Sequence, residues 1–159
     1  MKKNKTILTI ATITGALAIT AFNLPSIPAQ QAPFADKYWI LESSTVVPAV
    51  DLDMDGKPDS DIRIMLEDCD KDDAEMFKTG GMLMKHNGKN KCDEEEEDVV
   101  ESGTWKYNAA TKQLTSHHHD TEKPQTLTVK EISGNKMVMV YEFTSNKGKH
   151  VITGVYRAK

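Results

Sequence analysis

Residues 126–157 read TLTVKEISGNKMVMVYEFTSNKGKHVITGVYR. Met137, Met139, Tyr141 and Phe143 share one face by period two, and Val151, Thr153 and Val155 do the same further on. Ser133-Gly134-Asn135-Lys136 and Ser145-Asn146-Lys147-Gly148 leave room only for tight turns. Three strands, Thr126–Ile132, Met137–Thr144 and Lys149–Arg157, must therefore run antiparallel. The same pattern extends towards the N-terminus. Gly103–Tyr107 and Gln113–His117 flank a turn at Asn108–Lys112, and Glu75–Thr79 and Met82–His86 flank a hairpin turn at Gly80-Gly81. Tyr38–Glu42 opens the domain and Ser43–Val47 continues it in extended form. Residues 61–67 alternate but fit a short helix equally well. No amphipathic helix of ordinary length lies between these segments. About eight strands joined by short polar turns predict an all-β domain, a small antiparallel up-and-down barrel that removes its edges by closing.

The N-terminal stretch belongs to a different class. Lys2, Lys3 and Lys5 precede an uncharged run from Thr6 to Asn23, and then comes Leu24-Pro25-Ser26-Ile27-Pro28-Ala29. A positive cluster, an apolar run and a small residue are the parts of a secretory signal. As a membrane span the run is short and dilute, since about 20 mostly apolar residues are needed. The reading is a signal peptide at 1–29, a short linker at 30–36 and one domain at 37–159. No cysteine lies near the cut to accept a lipid, so a periplasmic or secreted protein without a membrane anchor is expected. Removing three lysines changes the formal charge from −4 to −7, which argues against nucleic acid or an anionic membrane as partner. The two cysteines, Cys69 and Cys92, would pair in an oxidising compartment, the alternative being two free buried thiols.

Residues 69–115 add a constellation: Cys69-Asp-Lys71-Asp72-Asp73, Phe77, Gly80-Gly81, Gly88, Cys92, Gly103-Thr104-Trp105 and Leu114. This resembles the lipocalin-like domain of many exported proteins of Bacteroidetes-type bacteria, and the likeness covers nearly all of residues 37–157. It implies a lipocalin-like barrel and a disulfide between Cys69 and Cys92, and says little about activity. Two departures stand out. Members are often lipid-anchored, and the first-strand Gly-x-Trp of true lipocalins is here Asp36-Lys37-Tyr38-Trp39.

The sharpest chemical motif is Asp51-Leu52-Asp53-Met54-Asp55-Gly56-Lys57-Pro58-Asp59-Ser60-Asp61. Carboxylates at positions 1, 3 and 5, Gly at 6 and acids at 9 and 11 match the first part of a calcium loop. The expected ligands to a structural Ca2+ are Asp51, Asp53, Asp55, the Lys57 backbone carbonyl, Asp59 and Asp61. Against this, Ile62 stands where an EF-hand has its bidentate Glu, and an acidic surface turn is the plainer reading. Alternation puts His117 and His119 on one face, within reach of a shared transition metal, although clustered histidines at a strand end are more often solvated. Met82, Met84, Met137, Met139, Tyr141 and Phe143 are the candidates to line a barrel interior and a small apolar ligand. Trp39 and Trp105 read as plugs at the barrel ends, and Asp93–Asp98 as a solvated loop tip. No nucleophile, phosphate-binding or zinc-protease motif is present, so a binding protein is expected and not an enzyme. The other expectation is a calcium-stabilised adaptor that binds protein or glycan on its outer surface.

Overall fold

Every strand expected between 126 and 157 is present, and each extends by a residue or more. The computed structural model describes residues 32–159; the expected signal peptide lies outside the described residues. The elements are β1 (Tyr38–Val50), β2 (Asp59–Asp61), a short 3-10 helix (Ile62–Met65), β3 (Ala74–Lys78), β4 (Met82–His86) and β5 (Val99–Asn108). After these come β6 (Gln113–His118), β7 (Gln125–Ser133), β8 (Lys136–Ser145) and β9 (Gly148–Ala158). All pairings are antiparallel, in the order β2-β1-β3-β4-β5-β6-β7-β8-β9, and β1 also pairs with β9. That last pairing closes an eight-stranded barrel, with β2 as a ninth, three-residue strand beside it. A count of about eight is right for the barrel; β2 is too short to show as alternation.

β1 serves two neighbours on one edge. Tyr38–Ile40 pairs with β3, and Thr45 and Val50 pair with β2. Between them the strand bulges against β9, where Leu41 and Ser43 are the consecutive partners of Tyr156 and Val155. Arg63 covers this gap by donating from Nη1 to the Glu42 carbonyl at 2.8 Å. The ambiguous segment 61–67 becomes the 3-10 helix because Asp61 caps it, accepting from the Arg63 backbone N–H at 2.9 Å.

The two ends of the barrel differ. At one end Phe34, Phe77, Trp105 and Tyr107 pack edge to face or tilted, with centroids 5.1–5.7 Å apart. Leu83, Leu114, Met137 and Met139 surround them, all buried. Both indole N–H groups are satisfied there, Trp39 by the Phe34 carbonyl (2.9 Å) and Trp105 by the Lys78 carbonyl (3.0 Å). The plug reading of the tryptophans therefore holds. The linker reading of 30–36 does not hold for its described part. Ala32 and Phe34 belong to the core, and Asp36 clamps the β3–β4 hairpin by accepting from Thr79 N at 2.8 Å. These hydrogen bonds from Thr79 hold the Asp36 carboxyl below the usual range.

The opposite end is built from loops. Asp73 accepts from Gly88 N and Asp72 from Lys89 N, both at 2.7 Å, and the Cys69–Cys92 disulfide lies alongside. This accounts for the spacing of the Cys-x-Lys-Asp-Asp element. Its two carboxylates and its sulfur all hold the segment that leaves β4. A Cβ at Gly88 would collide with the Asp72 carboxylate, so glycine there lets Asp72 reach Lys89 N. The run Asp93–Asp98 is largely exposed, as expected.

Candidate functional site

Strand parity decides which side chains enter the barrel. β3 directs Glu75 and Phe77 inward, and its partner β4 must follow with Leu83 opposite Phe77 and Lys85 opposite Glu75. Met82 and Met84 are thereby forced onto the outer face, Met82 being 37% exposed, and neither lines the interior as expected. Both parities of Met-Leu-Met-Lys look reasonable in isolation, and the plug residue Phe77 selects the one that buries Leu83 and directs Lys85 inward. On β6 the same logic buries Leu114 and Ser116 and turns His118 inward. His117, expected to pair with His119, faces solvent and meets the Thr121 carbonyl at 3.1 Å.

Above the aromatic plug the inward side chains leave a cavity of about 470 Å³. Its apolar wall is Trp39, Leu41, Leu66 and Ala74; its polar wall includes Glu75, Lys85, Ser102, His118 and Tyr156, with Asp70, Asp73 and Gln125. Met137 and Met139 point inward but are consumed by the core, at 0% and 3% exposure. Tyr141 and Phe143 stack on one another nearer the loop end, and Phe143 stacks on the buried His150, centroids 4.9 Å apart. His150 is held by Pro48 O and Ser145 Oγ, each at 2.8 Å. None of the six expected lining residues borders this cavity.

The polar groups form two units. His118 Nε2 lies 3.3 Å from Glu75 Oε1, an ion pair whenever the imidazole is protonated. About a third of each side chain remains accessible, and that surface faces the cavity. Burial holds the Glu75 carboxyl above the ordinary carboxylate range, with His118 pulling against it. Burial, and then the charge of Glu75, push the Tyr156 phenol well above its usual range. Its ring lies over Gly154, where an added Cβ would come within 2.8 Å of Cε2. Glycine at 154 thus lets the tyrosine lie along the inner wall. The second unit is Lys85 with Asp73 (2.8 Å) and Asp70 (3.7 Å). Burial alone would lower the lysine, but the hydrogen bond and charge of Asp73 outweigh it and hold the ammonium above its ordinary value.

The acidic loop lies outside the barrel, joining β1 to β2. Carboxylate oxygens of Asp51, Asp53 and Asp59 lie within 4.8 Å of one another, and Asp51 Oδ1 is buried without a hydrogen-bond partner among the described residues. Asp55 pairs with Lys57 Nζ at 3.2 Å and Asp61 caps the 3-10 helix, so neither belongs to the group of three. Met54 and Gly56, both at positive φ, wrap the loop around it. A further group, Glu67 with Cys69 and Cys92, has its sulfurs committed to the disulfide.

A closed antiparallel barrel of eight strands, plugged at one end and hollow towards the other, is the architecture of a small-ligand binding protein. Residues 36–139 match the lipocalin-like domain, and the chain belongs to that family. No curated protein and no solved structure matches it.

Proposed function

We propose that this protein binds, without transforming, a small amphipathic ligand in the loop-side half of the barrel. The observation that carries the reading is the cavity itself. At about 470 Å³ it lies within the range of roughly 300–1,000 Å³ typical of ligand sites. Its apolar wall suits the expected apolar body of a ligand, and its polar wall adds a demand for a hydrogen-bonding group. Protein purified from its own host and examined by native mass spectrometry should carry an adduct that is released on unfolding. Replacing Gly154 with Ala or Leu, whose Cβ would collide with the Tyr156 ring at 2.8 Å and push that ring into the cavity, should abolish the adduct, with circular dichroism checking that the barrel is still folded. Wild-type protein that is free of cargo and indifferent to small amphiphiles would overturn the reading.

The reading includes a structural Ca2+ at the β1–β2 loop, held by Asp51, Asp53 and Asp59. Three converging carboxylates and the unpaired Asp51 Oδ1 support it; oxygen donors suit a hard cation. With Asp55 and Asp61 engaged elsewhere the site is short of ligands and should be weak. Calcium at about ten to a hundred times its Kd should stabilise the fold by about 1–3 kcal/mol. Melting temperature in millimolar calcium measures this, and Asp51→Asn should remove the shift. An unshifted wild-type melt would count against the site. We propose export as well, supported by the N-terminal pattern and by a disulfide that persists in oxidising compartments.

A further inference from the structure

We infer that the ligand of this cavity is a small organic cation, a protonated amine with an apolar body, and that Glu75 is its counter-charge. The inference rests on the cavity reading above and adds the chemical class. Three carboxylates line the space, Asp70, Asp73 and Glu75, against one lysine and one histidine. Lys85 is already engaged by Asp73 at 2.8 Å, with Asp70 at 3.7 Å. An anionic ligand would have to displace those carboxylates and then lie among them. Glu75 has no such permanent partner, since His118 compensates it only when protonated.

The groups around the carboxylate point the same way. Ser102 Oγ borders the cavity, is buried and has no hydrogen-bond partner among the described residues, so it can accept a hydrogen bond from a donor-rich head group. An ammonium presents three donors and no acceptor, which matches the acceptor oxygens that Glu75 and Ser102 bring to the cavity. The indole of Trp39, the cross-strand partner of Glu75 on β1, offers the apolar and aromatic surface that organic cations favour. A metal ion is a poorer occupant. The metal-holding groups among the described residues are Asp51, Asp53 and Asp59, and Glu67 with the two disulfide sulfurs, and neither lies in this space.

Isothermal titration of the intact exported protein with hexylammonium, hexanol and hexanoate tests the inference, because the three share a tail and differ in charge. Hexylammonium should bind about tenfold or more tighter than the other two, the scale of one charge-assisted hydrogen bond. Glu75→Gln should remove that preference, bringing hexylammonium affinity down to that of hexanol for the same variant. Glu75 is faced by His118 from β6, Tyr156 from β9, Lys85 from β4, and Asp70 and Asp73 from the preceding loop. The sign of the pH dependence follows. As pH falls through the raised value of Glu75, the carboxyl becomes neutral and hexylammonium affinity drops. A preference for hexanoate, or equal binding of all three, overturns the cation inference and leaves the cavity reading standing. Failure of all three to bind also overturns it, while the cargo measurement judges the cavity reading independently. The wild-type series decides the matter even if Glu75→Gln does not fold.

Discussion

Phe34→Ala should destabilise the barrel by about 3–5 kcal/mol, the cost of a buried phenylalanine and the cavity it leaves. The side chain is completely buried and touches Phe77, Trp105 and Tyr107, with centroids 5.2, 5.6 and 5.1 Å away. Those rings come from β3 and β5, and Phe34 is the residue that touches all three. The backbone contributes as well. The Phe34 carbonyl accepts the Trp39 indole N–H, and Asp36 N donates to the Phe77 carbonyl at 3.1 Å. Alanine keeps the carbonyl but leaves the turn free to lift away, which would expose Trp39 and the floor of the cavity. Urea unfolding followed by tryptophan fluorescence should show a lower midpoint with an unchanged slope. Phe34→Leu keeps most of the volume and should cost about 1 kcal/mol or a little more, mainly the aromatic pairing. A midpoint shift for Phe34→Ala no larger than that of an ordinary surface substitution, within about 0.5 kcal/mol, would show that residues before β1 are dispensable.

That residue also shows where sequence reading stops. Phe34 sits alone between Pro33 and Ala35, with no periodicity to mark it, and its importance comes entirely from strands that arrive later in the chain. The barrel was legible because period-two alternation and short turns are local properties, as in Met137–Phe143 and the Gly80-Gly81 hairpin. The interior was harder to read. Glu75, Lys85 and His118 break the rule that polar residues face out, and each is turned inward by the parity of a neighbouring strand. Met82 and Met84 face outward, against the expectation from sequence, for the same reason: one apolar set yields to Leu83 opposite Phe77. The cavity wall runs from Trp39 to Tyr156, a span over which no spacing rule operates. Bulges add to this. Those after Leu41 on β1 and between Gly103 and Glu101 on β5 each shift the inward set by one residue, and Ser102 enters the cavity through the second. The acidic loop was more legible. Its odd spacing places Asp51, Asp53 and Asp59 near one another, whereas the diversion of Asp55 to Lys57 and of Asp61 to a helix cap depends on structure the motif does not contain.

Removing the disulfide by Cys69→Ser with Cys92→Ser should cost about 3 kcal/mol through the greater freedom of the unfolded chain. The cysteines are 23 residues apart, and the loop they close holds β3 and β4. The native state should respond as well, because the covalent bond is the anchor at this end of the barrel that charge cannot oppose. Residues 93–98 are six consecutive carboxylates, and their repulsion favours an expanded loop. Against it stand Asn87, donating from N to Asp98 O and from Nδ2 to Glu97 O, and Lys91, which reaches Asp98 at 2.7 Å. The Lys91–Asp98 pair is open to solvent and therefore weak. Without the disulfide, amides of residues 89–98 should exchange faster than the loss of global stability requires, and added salt should partly restore them by screening the acidic run. Gly88 N should stay protected, because Asp73 accepts from it at 2.7 Å independently of the sulfurs. Asp73 also holds Lys85 at the cavity wall, so ligand affinity should fall less in the cysteine variant than in Asp73→Asn. If hydrogen exchange shows the 89–98 amides accelerated only in step with the barrel strands, the loop is held by its hydrogen bonds and the disulfide acts on the unfolded chain alone.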